Sequence, residues 1–304
     1  MKQPPDVLII GAGLSGLVAA RRLQNSGHSV GVLEARNRVG GRMLSTTTAS
    51  GAVVDLGGQW GGASHHRFGA LLDGLGIERF PSYYEGDGVF HWQGRRRQAP
   101  LAHAFTASLL FFEPSALDLP SEELAATQAL QRAFANLVAQ VNPSQPWLTP
   151  HAEQLDRLSV AQWACQHTPV PLARQPLDWL CRVGGSGGFE PWECSILHLA
   201  WTQAVAPQSE TPEAWLVRGG AGGVALRLAD ALRNHDPGCL HLGEAVQCIE
   251  HHGQGVRVQG SHGGWHEARM AIVAVPPPSV LPFALIPPYL RPIKPCCSAH
   301  RWGA

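Results

Sequence analysis

Residues 7–34 constrain the fold more than any other part of the chain. Val7-Leu8-Ile9-Ile10 is an unbroken apolar run rich in branched side chains, as in a parallel strand buried on both faces. It leads straight into Gly11-Ala12-Gly13-Leu14-Ser15-Gly16, then into a helical stretch from Leu17 to Gln24 that Gly27 ends. Ser29 to Leu33 reads as a second strand, closing on Glu34. In a chain with 34 glycines, G-x-G-x-x-G alone says little. Set between a strand and a helix, with an acid roughly 20 residues on, it is the turn of a dinucleotide site. Gly11 permits the tight turn, Gly13 lets backbone approach a diphosphate, and Gly16 lets helix and strand pack closely. The helix then turns its free N–H groups and positive end toward that diphosphate. Glu34 would accept hydrogen bonds from ribose hydroxyls, and its charge disfavours a 2′-phosphate. FAD or NAD therefore fits better than NADP.

The next segments separate those two. Glu34-Ala35-Arg36-Asn37-Arg38-Val39-Gly40-Gly41-Arg42 resembles the second fingerprint of flavin-containing amine oxidoreductases, the monoamine oxidase and polyamine oxidase group. Paired glycines allow close backbone approach, and Arg42 offers a permanently charged guanidinium near a diphosphate. Val53-Val54-Asp55-Leu56-Gly57-Gly58-Gln59-Trp60-Gly61 is similar to that family's DLGGQW segment, which lies along the flavin. Trp60 reads either as a wall of the flavin cavity or as an ordinary core tryptophan after a strand. His65-His66 is read as a solvated turn, and no metal site is expected.

The resemblance implies an α/β fold: a doubly wound, Rossmann-like FAD-binding domain with an inserted, mostly helical substrate domain. The expected FAD domain is discontinuous, residues 1–80 and 211–280. Residues 81–210 form the substrate domain, and 281–304 begin a further substrate-domain segment. FAD contacts are expected from Gly11, Gly13, Ser15, Gly16, Glu34, Ala35, Arg36, Gly41, Arg42, Gly57, Gly58, Gln59 and Trp60, and from the backbone of Val246 at the adenine.

Val89 to Trp92 and Arg95-Arg96-Arg97 bracket Gly94 as a hairpin would, with the arginines in a solvated turn. Glu190 and Glu193, in a stretch resembling the family's EP-x-x-x-S step, suit a helix start better than paired acid–base chemistry. Trp215 to Gly223 is a second glycine-rich turn into a helix, from Val224 to Leu232. It looks like the family's GG-x-x-x-L segment, which returns the chain to the cofactor domain, and with no strand-end acid at the right distance it reads as a structural turn rather than a second nucleotide site. Short strands from Ala245 to Val275 suggest a meander, and the last of them, Ala271 to Val275, looks like the buried family strand that precedes a proline turn near the cofactor.

Composition bounds the function class. Twenty-three basic and 23 acidic residues cancel, which excludes an electrostatically driven nucleic-acid partner. Seven cysteines without C-x-x-C spacing give neither a disulfide framework nor a zinc site. The apolar stretch from Val7 to Ala20 falls short of the ~20 residues of a bilayer span, and the expected location is the cytoplasm. The resemblance implies oxidation of a primary or secondary amine, or an amino acid, to an imine, with O2 as acceptor giving H2O2. The family's late glycine–acid motif and flavin-facing lysine have no match, since Lys294 lies between prolines and Leu242-Gly243-Glu244 precedes its proper place. The expectation is a C-terminally truncated member with no assignable catalytic residue. A related desaturase or porphyrinogen oxidase, or a non-catalytic dinucleotide-binding remnant, is the alternative.

Overall fold

The computed structural model describes residues 3–92, 95–100, 119–183, 188–206, 213–276 and 284–286. The chain divides into two compact units. Among the described residues, the first holds those up to Gly61, His65–Ser82 and those from Glu213 to Ile286, while the second holds Gly62–Ser64 and those from Tyr83 to Ala206.

In the first unit the chain runs β1 (Val7–Ile10), α1 (Leu14–Asn25), β2 (Val30–Glu34), β3 (Ser45–Thr47), β4 (Val53–Asp55), β5 (Trp60–Gly61), α2 (His66–Gly74) and β6 (Arg79–Pro81). The second unit follows with β7 (Asp87–Trp92), β8 (Arg95–Pro100), α3 (Ser121–Gln140), α4 (Ala152–Arg157), α5 (Val160–His167), α6 (Pro171–Val183) and α7 (Ile196–Val205). The first unit then resumes with β9 (Trp215–Val217), α8 (Gly222–His235), β10 (Leu240–Leu242) and β11 (Val246–His252). It ends with β12 (Gly255–Gly260), β13 (Trp265–Ala268), β14 (Met270–Val273) and β15 (Ala284–Ile286).

The first unit is built on a parallel sheet of order β10-β2-β1-β14. Val7 to Ile10 align with Val30 to Leu33 on one side and with Met270 to Val273 on the other. Strand pleat sends alternate side chains to opposite faces, which explains the unbroken apolar run. Val7, Ile9, Val30 and Val32 join the core shared with Leu17 and Ala20 of α1 and Val224, Leu228 and Leu232 of α8. Leu8, Ile10 and Leu33 face the other way, onto Val246, Ile249, Val256, Val258 and Ala268 of the meander β11–β13. A doubly wound sheet carries helices on both faces. Among the described residues, helices line one face here and an antiparallel sheet covers the other, so the fold is mixed α/β but departs from that expectation.

Strand β14 also differs from the buried strand expected for Ala271 to Val275. It is an edge strand, and Met270, Ile272 and Val273 are 56%, 38% and 42% exposed. Burial on both faces requires a neighbour beyond the edge, and among the described residues β14 has only β1.

In the second unit, α3, α5, α6 and α7 enclose a separate core that includes Phe134, Trp163, Leu177, Ile196 and Leu199. The expected hairpin pairing is present as β7 antiparallel to β8, but Arg95–Arg97 lie in strand β8, paired with Trp92, His91 and Phe90, rather than in a turn. The start of α7 belongs to Ser195 rather than to the two glutamates. Its hydroxyl accepts from the His198 N–H at 3.1 Å and donates to Asp156 at 2.9 Å. Glu190 instead pairs with Arg182, and Glu193 folds back onto the Glu190 N–H.

Candidate functional site

The glycine turn between β1 and α1 is shaped by backbone against backbone. Gly11 has φ +102°, where an L side chain is strained, and a Cβ there would lie 2.7 Å from Val275 Cγ1. At Gly16 a Cβ would fall onto the Gly11 carbonyl oxygen, so this glycine sets how closely helix and strand approach. Gly13 is different in kind. A Cβ on it would meet nothing within 4 Å, so the space beside it is open. Ser15 is exposed on the first turn of α1. No side chain caps that helix, and no acid lies in its first turn. Its unpaired N–H groups and the positive end of its dipole are left for an outside anion.

Glu34, 7% exposed at the end of β2, closes the turn from below. Its Oε2 accepts the Ala12 N–H at 2.7 Å and its Oε1 accepts the Arg36 N–H at 2.9 Å. The carboxylate thus holds the glycine turn and the start of the next loop in register. Each oxygen keeps a further lone pair for an incoming hydroxyl. Ala35 and Arg36 are exposed beside it.

The second glycine motif packs onto the first. The Gly40 N–H donates to the Ala12 carbonyl at 2.9 Å, and a Cβ on Gly41 would lie 3.3 Å from the Gly13 Cα. Arg38, which sequence reasoning passed over, donates from Nη1 to the carbonyls of Val39 and Gly41 at 3.2 and 3.1 Å. It staples this loop from inside, leaving Arg42 as the exposed guanidinium of the pair.

The Arg42 backbone then meets the third motif. Its carbonyl accepts the Gly58 N–H at 3.1 Å, and a Cβ on Gly57 would collide with that same oxygen. Gln59 is half-buried, and Trp60, at 46% exposure, is not a core tryptophan. Val53, Val54 and Leu56 before it are exposed as well.

The second glycine-rich turn, before α8, is closed to an outside anion. Asp55 lies across the N-terminus of α8 and accepts the Ala221 N–H at 2.9 and 3.1 Å on its two oxygens. Ser45 donates to Asp55 at 2.5 Å and accepts the Gly222 N–H at 2.8 Å. The chain supplies its own carboxylate to one glycine-to-helix turn and leaves the other uncapped. This agrees with reading the second turn as structural.

Val246 begins β11 and is buried against Leu33. It is brought to the Glu34 end of β2 by a pair of bonds that sequence reasoning missed. The Glu244 N–H donates to the Glu34 carbonyl at 2.8 Å, and the Gly243 N–H to the Arg36 carbonyl at 3.0 Å. Leu242-Gly243-Glu244, out of order for the late family motif, is thus the strut that holds β11 beside Glu34. Burial pushes the Glu244 carboxyl up, but hydrogen bonds from the His262 ring and backbone N–H together with the charges of His262 and His266 outweigh it, and the group sits below its ordinary value. Among the described residues no cluster of His, Cys, Asp and Glu could hold a metal, and no helix is long and apolar enough to cross a membrane.

Comparison with known proteins agrees with this geometry. An L-amino acid dehydrogenase of Synechocystis is 37% identical over 273 residues, covering 90% of this chain and 56% of its own length. A putrescine oxidase of Kocuria rosea is 38% identical over 163 residues, covering 54% of this chain and 31% of its own. The solved structure of a putrescine oxidase bound to putrescine superposes with a TM-score of 0.76 at 29% identity, across 94% of this chain and 61% of that one. Cyclohexylamine oxidase from Brevibacterium oxydans superposes with a TM-score of 0.78 at 28% identity, across 93% and 60%. The chain thus spans less than two thirds of the length of these relatives. The family model for flavin-containing amine oxidoreductases matches residues 14–296. The chain belongs to the flavin-containing amine oxidoreductase family, whose cofactor is FAD.

Proposed function

We propose that this chain forms the FAD-holding part of an enzyme that oxidises an amine or amino acid to the imine, with dioxygen as acceptor and hydrogen peroxide as product. The observation that carries the reading is the contrast between the two glycine-to-helix turns. Asp55 fills the second, whereas α1 presents an uncapped N-terminus beside the open space at Gly13. That arrangement fits a diphosphate brought against bare backbone.

In this reading Gly11, Gly13, Ser15, Gly16, Gly41 and Arg42 hold the diphosphate. Glu34 receives the ribose hydroxyls, with Ala35 and Arg36 beside it. Val246, held at the same end of β2, takes the adenine edge. Gly57, Gly58, Gln59 and Trp60 form the wall along the ring system, where Gly57 seats the segment on the Arg42 carbonyl, Gly58 leaves space and the exposed indole supplies apolar surface. The first unit is the FAD domain and the helical unit is the substrate domain. When bound, FAD supplies the two-electron chemistry that removes hydride equivalents from the carbon bearing nitrogen. The protein contributes binding, orientation and exclusion of water.

An absorbance spectrum of the purified chain, with and without added FAD, tests this. Oxidised-flavin bands that stay with the protein through gel filtration support it, and peroxide release from a panel of amines and amino acids then identifies the substrate. A folded, colourless protein that takes up no FAD overturns it.

A further inference from the structure

Asp55 and Ser45 do more than end a helix. The Leu56–Gln59 segment, which the proposed function places along the flavin, is pinned at three points. At its start, Asp55 reaches the α8 N-terminus through Ala221, 166 residues away in sequence. In its middle, Gly58 bonds back to the Arg42 carbonyl. At its end, Trp60 and Gly61 pair with Leu216 and Trp215 of β9. Strand β9 runs through Gly219 and Gly220 into α8, so the path from Asp55 through the segment returns to the helix end that Asp55 holds. The ring is closed without slack. A Cβ on Gly220 would stand 2.5 Å from Ser45 Oγ, and one on Gly222 2.6 Å from the Ser45 N.

We propose that Asp55, assisted by Ser45, is a positioning residue of the flavin site. By fixing the α8 N-terminus to β4, it sets where Gly57–Trp60 stand relative to the diphosphate turn. This rests on the reading of the chain as an FAD-binding protein. The Ser45 hydroxyl donates its hydrogen bond to the carboxylate, which turns its lone pair toward the Gly222 N–H. One carboxylate and one hydroxyl thereby satisfy two successive backbone donors. An amide at position 55 keeps the size but gives up one acceptor oxygen and the charge that complements the helix end.

The test compares Asp55→Asn and Ser45→Ala with Leu232→Val, a core change toward the other end of α8 that leaves the cap intact. FAD affinity is measured by quenching of flavin fluorescence, and bound flavin by visible circular dichroism at saturation. Both cap variants are expected to bind FAD about fivefold to thirtyfold more weakly, the worth of a helix cap expressed as affinity, and to alter the flavin dichroism. Leu232→Val is expected to lower the unfolding midpoint and leave affinity and dichroism unchanged. If wild type binds no FAD, the functional reading falls and this proposal with it. If wild type binds and the cap variants match it, or if Leu232→Val shifts the flavin signals equally, the cap is only structural and the proposal is overturned. Ser45→Ala, the smaller change, keeps the test decisive if Asp55→Asn does not fold.

Discussion

Gly13→Ala is expected to separate cofactor binding from folding. Gly13 has φ −69° and ψ 174°, which alanine adopts freely, and its added methyl would meet no protein atom within 4 Å. Two effects on stability then oppose each other. Restricting the unfolded chain stabilises by about 0.4–1 kcal/mol. Glycine is the better residue at a helix N-cap, and losing it costs about 0.5–1 kcal/mol. The net lies within about 0.5 kcal/mol of zero, which moves the melting temperature by no more than roughly 2 °C. Binding has no such cancellation, because the methyl occupies the closest approach of the diphosphate. Overpacking of about 1–3 kcal/mol corresponds to FAD binding roughly fivefold to 150-fold weaker. Gly16→Ala is the counterpart. Its methyl would fall on the Gly11 carbonyl oxygen, and no flexible side chain is there to yield. It should cost about 1–3 kcal/mol of folding before any ligand is added. Scanning fluorimetry of the FAD-free proteins and fluorescence titration with FAD give both quantities. A Gly13→Ala protein that melts as early as Gly16→Ala, or that binds FAD like wild type, refutes the reasoning.

Three further outcomes are expected. Glu34→Gln turns one of two backbone-bonded oxygens into a donor that faces another donor. Leaving that buried group unpaired should cost about 1–3 kcal/mol in urea unfolding of the FAD-free chain. Hydrogen bonds from the Ser29 backbone and hydroxyl hold the Asp6 carboxyl below its ordinary 3.8, so its contribution is present above that value and lost as pH falls through the lower folded one. The melting temperature of Asp6→Asn should therefore fall less steeply than that of wild type between pH 5 and pH 3, as thermal scans at each pH would show. Iodoacetamide with peptide mapping should label the exposed Cys165 well before the buried Cys181, Cys194 and Cys239; simultaneous labelling of all four would contradict the described burial.

The glycine turn between β1 and α1 was legible because its signals are local. A four-residue apolar run, three glycines and an acid at fixed spacing each have a backbone reason, and all lie within 28 residues from Val7 to Glu34. Glu34 was found by its spacing, but not its grip on the Ala12 N–H, since nothing in a sequence says which donor an acid will choose. The cap of Asp55 and Ser45 on α8 was out of reach for a stronger reason. Its partners are 166 and 177 residues apart, with the helical unit between them. The covering of the second sheet face escaped as well. Short strands after Ala245 announce a meander, but the side chains that meet Leu8, Ile10 and Leu33 are settled only when the sheets pack. Strand β14 was misjudged because an apolar run records what a strand can bury, not whether a neighbour is there to bury it.

The pairing of β1 with β14 also sets a schedule for synthesis. Val7 is synthesised long before its partner Met270, which follows only after nearly the whole helical unit and meander have been made. At about 5–20 residues per second, one edge of β1 waits roughly 13–50 s for its own partner. The helical unit, whose core is drawn from Leu130 to Ala200, can complete itself within that wait. A nascent chain stalled shortly before Met270 would therefore carry a finished helical unit and a first unit still open along β1, the edge on which a chaperone or a neighbouring nascent strand would act.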